Sequence, residues 1–320
     1  MFHAPFLLKN PHIQTLFATF FRKERLGKVE EEEFTLPDGD FVELVWKDSK
    51  PTDTRPIVVI FHGLAGSVAS PYVIGLMKAL EQQGFASVLM HFRGCGRRPN
   101  LKPRAYHSGD TADAKALIES LHRDYPSSPL HAVGFSIGGN MLLKLLGEWG
   151  DKSLLHSAVS VSAPLELSIC ADTIEKGFAK NYQNYLLKPL KKTLLQKYEK
   201  FDMEALLSLS KEEVENIQTI REFDEKYTAK IHGFVSSADY YAKCSAKQFL
   251  KKIETPTLII HALDDPFMTP EILPRLDEVS SLVKLEITLE GGHVGFVGGT
   301  FSKPKYWLDK KITNFLYAKY

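Results

Sequence analysis

The chain has 320 residues, 44% of them hydrophobic and 25% charged, with a formal net charge of +1. That length suits one large domain with an insertion or two ordinary domains, and the apolar fraction supplies a sizeable core. The balanced charge argues against nucleic acid as a partner, and three scattered cysteines (Cys95, Cys170 and Cys244) give neither a disulfide framework nor zinc-ligand spacing and fit a reducing compartment.

In chain order, the N-terminal apolar stretches are short and interrupted by His3, Lys9, Asn10 and His12, which is not a secretory pattern. No run reaches the roughly 18–20 apolar residues that cross a bilayer, so the expected location is the cytoplasm. Residues 30–47 read as two strands around the Pro37-Asp38-Gly39 turn, with Val42, Leu44 and Trp46 alternating with polar positions. Short continuous apolar runs follow at 56–61, 86–90, 130–133, 158–161 and 257–260. Runs of this kind suit strands covered on both faces. Helical stretches are expected near 72–83, 110–123 and 138–148. This alternation implies βαβ units and a doubly wound, mostly parallel sheet.

The alternation stops after Pro164, and residues 165–250 read as helical and rich in Lys and Tyr. No linker flanks them. They are expected to form a helical cap inserted into a core made of 1–164 and 251–320. Within the cap, Phe178, Tyr182, Tyr185, Pro189, Leu190, Leu194 and Tyr198 recur at roughly helical spacing, punctuated by lysines, and Pro189 should break or kink the helix. The plain expectation is packing on the core. The sharper one is an acyl pocket with a basic aromatic surface that touches anionic lipid.

Gly134-Phe135-Ser136-Ile137-Gly138 follows one of these strands and precedes a helical run. A serine on a tight strand-to-helix turn projects its hydroxyl above the sheet, and small neighbours let the two backbones approach. His62-Gly63-Leu64-Ala65-Gly66 follows the strand at 56–61, where a loop amide commonly stabilises an oxyanion. Leu64 N–H and Ile137 N–H are the candidate donors, and His62 is expected to stabilise the turn.

A serine needs a histidine to take its proton and a carboxylate to orient that histidine, in the chain order serine, acid, histidine. The strand at 257–262 ends in Asp264-Asp265-Pro266, and a later strand leads to Gly291-Gly292-His293. His293 is therefore the expected base. His156, His232 and His261 read as structural or surface residues. His107 precedes the serine and belongs to a helix-capping segment with Ser108 and Asp110. The bare pattern leaves Asp264 and Asp265 open, the other being a turn residue before Pro266.

Taken together, these residues resemble the YheT-like branch of the α/β-hydrolases. The resemblance rests on Asn10-Pro11-His12-Ile13-Gln14-Thr15-Leu16, the 62–66 loop, His91-Phe92-Arg93-Gly94-Cys95-Gly96, Tyr106-His107-Ser108-Gly109-Asp110, the serine motif, Asp239-Tyr240-Tyr241, Ala262-Leu263-Asp264-Asp265-Pro266-Phe267 and Gly291-Gly292-His293-Val294-Gly295-Phe296. It implies an α/β-hydrolase fold with an inserted cap and a serine esterase or lipase acting on short to medium acyl esters. Some animal relatives act on phospholipids. It also implies that the second aspartate of the pair, Asp265, is the acid. The expected partner is a small acyl ester, with a lipid as one form and with peripheral membrane contact; no metal or organic cofactor is called for. Acyl transfer to an alcohol and a non-catalytic binding module are the competing readings. Ser136 argues against the dehalogenase and epoxide-hydrolase types, which place aspartate there.

Overall fold

The computed structural model describes residues 2–319. Eight strands form the main sheet: β1 (Val29–Thr35), β2 (Phe41–Lys47), β3 (Ile57–Phe61), β4 (Ala86–Met90), β5 (Leu130–Phe135), β6 (Ser157–Val161), β7 (Thr257–Ala262) and β8 (Val283–Thr288). Their order across the sheet is β1-β2-β4-β3-β5-β6-β7-β8. β1 pairs antiparallel with β2 and β2 antiparallel with β4; every later pairing is parallel.

The apolar runs become strands because helices cover both sheet faces. Strand β3 is buried at all five positions. Its side chains alternate: Ile57, Val59 and Phe61 join one core, Val58 and Ile60 the other. The first core packs on α3 (Ala112–Asp124) and α4 (Ile137–Trp149). The second packs on α2 (Pro71–Gln82) and on the C-terminal helix through Leu308, Ile312 and Leu316. Each such large side chain gains roughly 1.5–3 kcal/mol from burial.

The N-terminal residues, which gave no element in the sequence, form helix α1 (Pro11–Phe21). Asn10 caps it by accepting from the amides of His12 and Ile13, and Pro11 sits in its first turn.

Between β6 and β7 the chain leaves the sheet. It forms α5 (Leu167–Ile174), α6 (Ala179–Lys197), α7 (Met203–Leu207), α8 (Lys211–Asn216), α9 (Ile220–Phe223), a π-helical turn (Asp224–Ala229) and α10 (Ser237–Cys244). Leu187, Leu194, Met203, Leu207 and Val214 of this segment form a small apolar cluster that also takes in Ala105, from the loop before α3. Pro189, expected to break or kink the helix, does not end α6, which continues through it to Lys197. Proline removes one donor, which leaves the carbonyl of Tyr185, an exposed residue, without its helical partner. After β8, a two-stranded ribbon, β9 (Val297–Gly299) with β10 (Pro304–Tyr306), leads into α11 (Trp307–Tyr317).

Candidate active site

Four loops at the carboxyl ends of parallel strands converge, which is where open α/β sheets place ligands. Ser136 stands between β5 and α4 at φ 52°, ψ −122°, a strained conformation for a residue with a side chain. Its amide donates to Val161 O at 2.8 Å, and its own carbonyl accepts from the amides of Gly139 and Asn140. Glycines permit the crowding. A methyl on Gly134 would lie 2.4 Å from Gly138 O, and one on Gly138 would lie 2.5 Å from His62 O.

The structure brings three of the sequence candidates into one hydrogen-bonded line. Ser136 Oγ is 3.1 Å from His293 Nε2, and His293 Nδ1 is 2.8 Å from Asp265 Oδ2. A carboxylate only accepts, so Nδ1 carries the proton and Nε2 is free to accept from serine. Asp265 is buried, and its other oxygen accepts the Phe267 amide at 2.9 Å. The Phe267 ring stacks on His293 at 4.1 Å, with 13° between the planes.

Asp264 lies outside this line, but it is more than a turn residue. Its Oδ1 accepts the Gly292 amide at 2.8 Å, pinning the loop that presents His293. Burial pushes its carboxyl above the usual range.

The same loop is held from the other end of the chain. The His293 amide donates to Thr15 Oγ1 at 2.9 Å, and the Thr15 hydroxyl donates to Pro11 O. Buried Gln14 donates to Leu8 O and Val297 O and accepts the Val297 amide. Gly292 and Gly295 fit against backbone carbonyls of α1, where a methyl would lie 2.6 Å from Pro11 O and 2.4 Å from Gln14 O. Thr15, Gln14 and Phe267 are site-building residues that the sequence reading assigned no role. Asn-Pro at 10–11 is a helix-start signal, but nothing local tells that the helix clamps a loop 278 residues away.

At the loop after β3, the Gly63 amide donates to Tyr72 Oη and the Ala65 amide to Tyr106 Oη, both at 2.9 Å. The amide between them, Leu64 N–H, donates to no acceptor among the described residues, and neither does Ile137 N–H. His62 sits beneath. Its Nε2 accepts the Phe92 amide at 3.1 Å, so Nδ1 carries the proton and donates to Gly63 O at 2.7 Å. Burial lowers its pKa to about 3 and keeps it neutral.

The rival histidines make no hydrogen bond to Ser136. His131 and His261 are buried in β5 and β7, and His156 is exposed. His107 faces the same cavity as Ser136, but its Nδ1 accepts the Gly109 amide and its ring packs on His232 and Tyr240. His107, Asp110 and His232 bring ligand-type atoms within 4.8 Å of one another. Asp110 already pairs with Arg104, whose fixed charge opposes a cation, so no metal is assigned there.

Ser136 and His293 open into a cavity of about 850 Å³, within the range of small-molecule sites. Thr15, Leu16 and Phe20 of α1 form one wall. Leu186, Leu190 and Ile220, from the segment between β6 and β7, form another.

The family model for the α/β-hydrolase fold matches residues 56–300, and the chain belongs to that family. Among curated proteins, the Escherichia coli protein named "Putative esterase YheT" is 42% identical over 308 residues, covering 96% of this chain and 90% of the relative. The chain is accordingly a member of the YheT-like branch, an esterase- and lipase-like hydrolase. The mouse protein named phospholipase ABHD3 is 28% identical, with 95% of this chain and 75% of the relative covered. A solved esterase from Pyrococcus furiosus, Pf2001, is 17% identical at a TM-score of 0.60, covering 92% and 91% of the two chains, a likeness of fold.

Proposed function

We propose that this protein is a serine carboxylesterase that cleaves short- to medium-chain acyl esters through an acyl-enzyme on Ser136. The observation that carries the reading is the Asp265–His293–Ser136 hydrogen-bonded line opening into an apolar cavity. Asp265 holds His293 in the tautomer whose Nε2 takes the serine proton as Oγ attacks the ester carbonyl. The amides of Leu64 and Ile137 donate to the developing oxyanion. The neighbours of Leu64 are tied back by Tyr72 and Tyr106, and Ile137 follows a serine whose amide is fixed on Val161 O, so the donors are oriented before substrate arrives. His293 then protonates the leaving alcohol, and water deprotonated by the same ring releases the acid. In this reading residues 165–250 act as a cap whose apolar inner face lines the acyl site.

A relative gives a second reading some weight. A yeast protein 28% identical over 333 residues is named medium-chain fatty acid ethyl ester synthase/esterase 2. An alcohol resolving the same acyl-enzyme would make this chain an acyltransferase. Product analysis with added ethanol separates the two outcomes. Labelling by a fluorescent fluorophosphonate tests the shared part: a folded wild-type chain that neither labels nor cleaves p-nitrophenyl esters is no serine esterase.

A further inference from the structure

Residues 1–23 contain no aspartate or glutamate; the first carboxylate is Glu24. Helix α1 lies within that stretch and carries no charged side chain between Lys9 and Arg22. A helix on a protein surface ordinarily turns a charged face outward. This one turns out Ile13, Phe20 and Phe21, the two phenylalanines 62% and 50% exposed. The turn before it adds Phe6 and Leu7 at 86% and 76%. The ribbon loop adds Phe301, 56% exposed, with its ring 5.0 Å from that of Phe21. Single exposed apolar residues need no explanation, but Phe21 and Phe301 touch each other over buried Phe17, and the other exposed apolar residues belong to the same short segment.

The patch adjoins the cavity mouth. Leu16, Thr19 and Phe20 line the cavity beside exposed Phe178 and Tyr185. Lys23, Arg25, Lys180 and Lys303 are exposed and form no ion pair among the described residues, whereas the nearby acids are already paired, Glu24 with Arg22 and Lys78 and Glu290 with Lys9. The surface expected on α6 is less available. Tyr182 is buried, Lys197 Nζ donates to Asn100 Oδ1 and to the carbonyls of Lys102 and Arg104, and Lys191 Nζ donates to the carbonyls of Glu215 and Ile217.

We propose that α1, the turn before it and the Phe301 loop form an interfacial docking surface for an anionic lipid bilayer, pressing the cavity mouth against the layer that supplies acyl chains. Aromatic side chains enter the headgroup boundary while the flanking cations meet lipid phosphates. Delivery of substrate by this route rests on the esterase reading; the docking itself does not.

The test is co-sedimentation of the full chain with vesicles of phosphatidylglycerol and phosphatidylcholine, and with phosphatidylcholine alone. Phe21→Asp/Phe301→Asp and Lys23→Glu/Arg25→Glu are compared with wild type. Hydrolysis of a soluble p-nitrophenyl ester is followed in parallel. The expected result is binding to the anionic vesicles only, weakened about tenfold or more in each double variant, with soluble-ester turnover unchanged. The second pair lies on the open surface and keeps the test valid if the aspartates disturb folding. Wild type that stays in solution, or variants that bind as well as wild type, would overturn the proposal. So would a wild-type dimer that the aspartates convert to monomer without vesicle binding, since a second copy would then be the occupant. A wild type that binds vesicles but cleaves no ester would sink the esterase reading and leave the docking surface standing.

Discussion

The loop that presents Ser136 and the loop that presents His293 are built by opposite means. The serine turn is a local construction: a buried strand, a five-residue turn and a helix, with glycines at the points of closest approach. Every hydrogen bond to its backbone comes from its own helix or the adjacent strand. The histidine loop has little internal structure. It hangs from Asp264 on the neighbouring strand end, from Ser162 Oγ, which accepts the Val294 amide, and from Thr15 at the far end of the sequence. A motif can be read where neighbours in sequence do the holding, and not where strangers do.

The comparison is broken most severely at Ser136, the proposed nucleophile. Ser136→Ala is expected to lower ester turnover by about 10⁴-fold or more while leaving the melting temperature nearly unchanged. Ser136→Gly should be equally inactive but more stable by roughly 1 kcal/mol, because glycine adopts φ 52° without strain. Thermal denaturation of the two variants separates strain from chemistry; equal melting temperatures would remove the strain argument. Asp265→Asn, which favours the wrong imidazole tautomer, is expected to cost about 10³–10⁴-fold in kcat.

A smaller effect tests the long-range clamp. Thr15→Val keeps the shape but leaves the His293 amide without its acceptor. We expect kcat to fall by about 10- to 100-fold and stability by roughly 1–3 kcal/mol. Unaltered fluorophosphonate labelling in this variant would show that α1 does not hold the loop. Asp264→Asn retains an acceptor for Gly292 and is expected to stay within a few fold of wild type, whereas Asp264→Ala should fall further.

The weakest probe is pH. Burial lowers the pKa of His62 to about 3 and of His131 to about 4, both below the ordinary 6.5. The unfolded chain protonates first, so their contribution is intact above pH 6.5 and is lost as pH falls toward the folded values. Each is worth on the order of 1 kcal/mol per pH unit in that window. Asp224, raised to about 6 by burial, acts in the opposite sense between 6 and 3.8 and offsets part of the loss. A denaturant midpoint that holds level from pH 7 to 4.5 would contradict this burial.

The same division explains what the sequence disclosed. Five buried parallel strands were legible as apolar runs, because burial on both faces imposes that composition. Ser136 and His293 were legible from glycine-flanked loops at strand ends. The choice of Asp265 over Asp264 came only from family resemblance, because adjacent side chains at a strand end differ in direction and composition does not record direction. The continuation of α6 through Pro189 was not legible, because the sequence does not carry the helix's surroundings. Thr15, Gln14 and Phe267 were silent for the same reason: their meaning lies in what packs against them.

The clamp also orders events during synthesis. Thr15 leaves the ribosome early and His293 late, so the strained serine turn can form long before any base stands beside it. On the esterase reading, a growing chain would therefore carry an unarmed nucleophile until His293 is made and its loop settles against α1. Cutting the backbone between α1 and β1 would be expected to disarm the molecule in the same way, leaving its sheet in place.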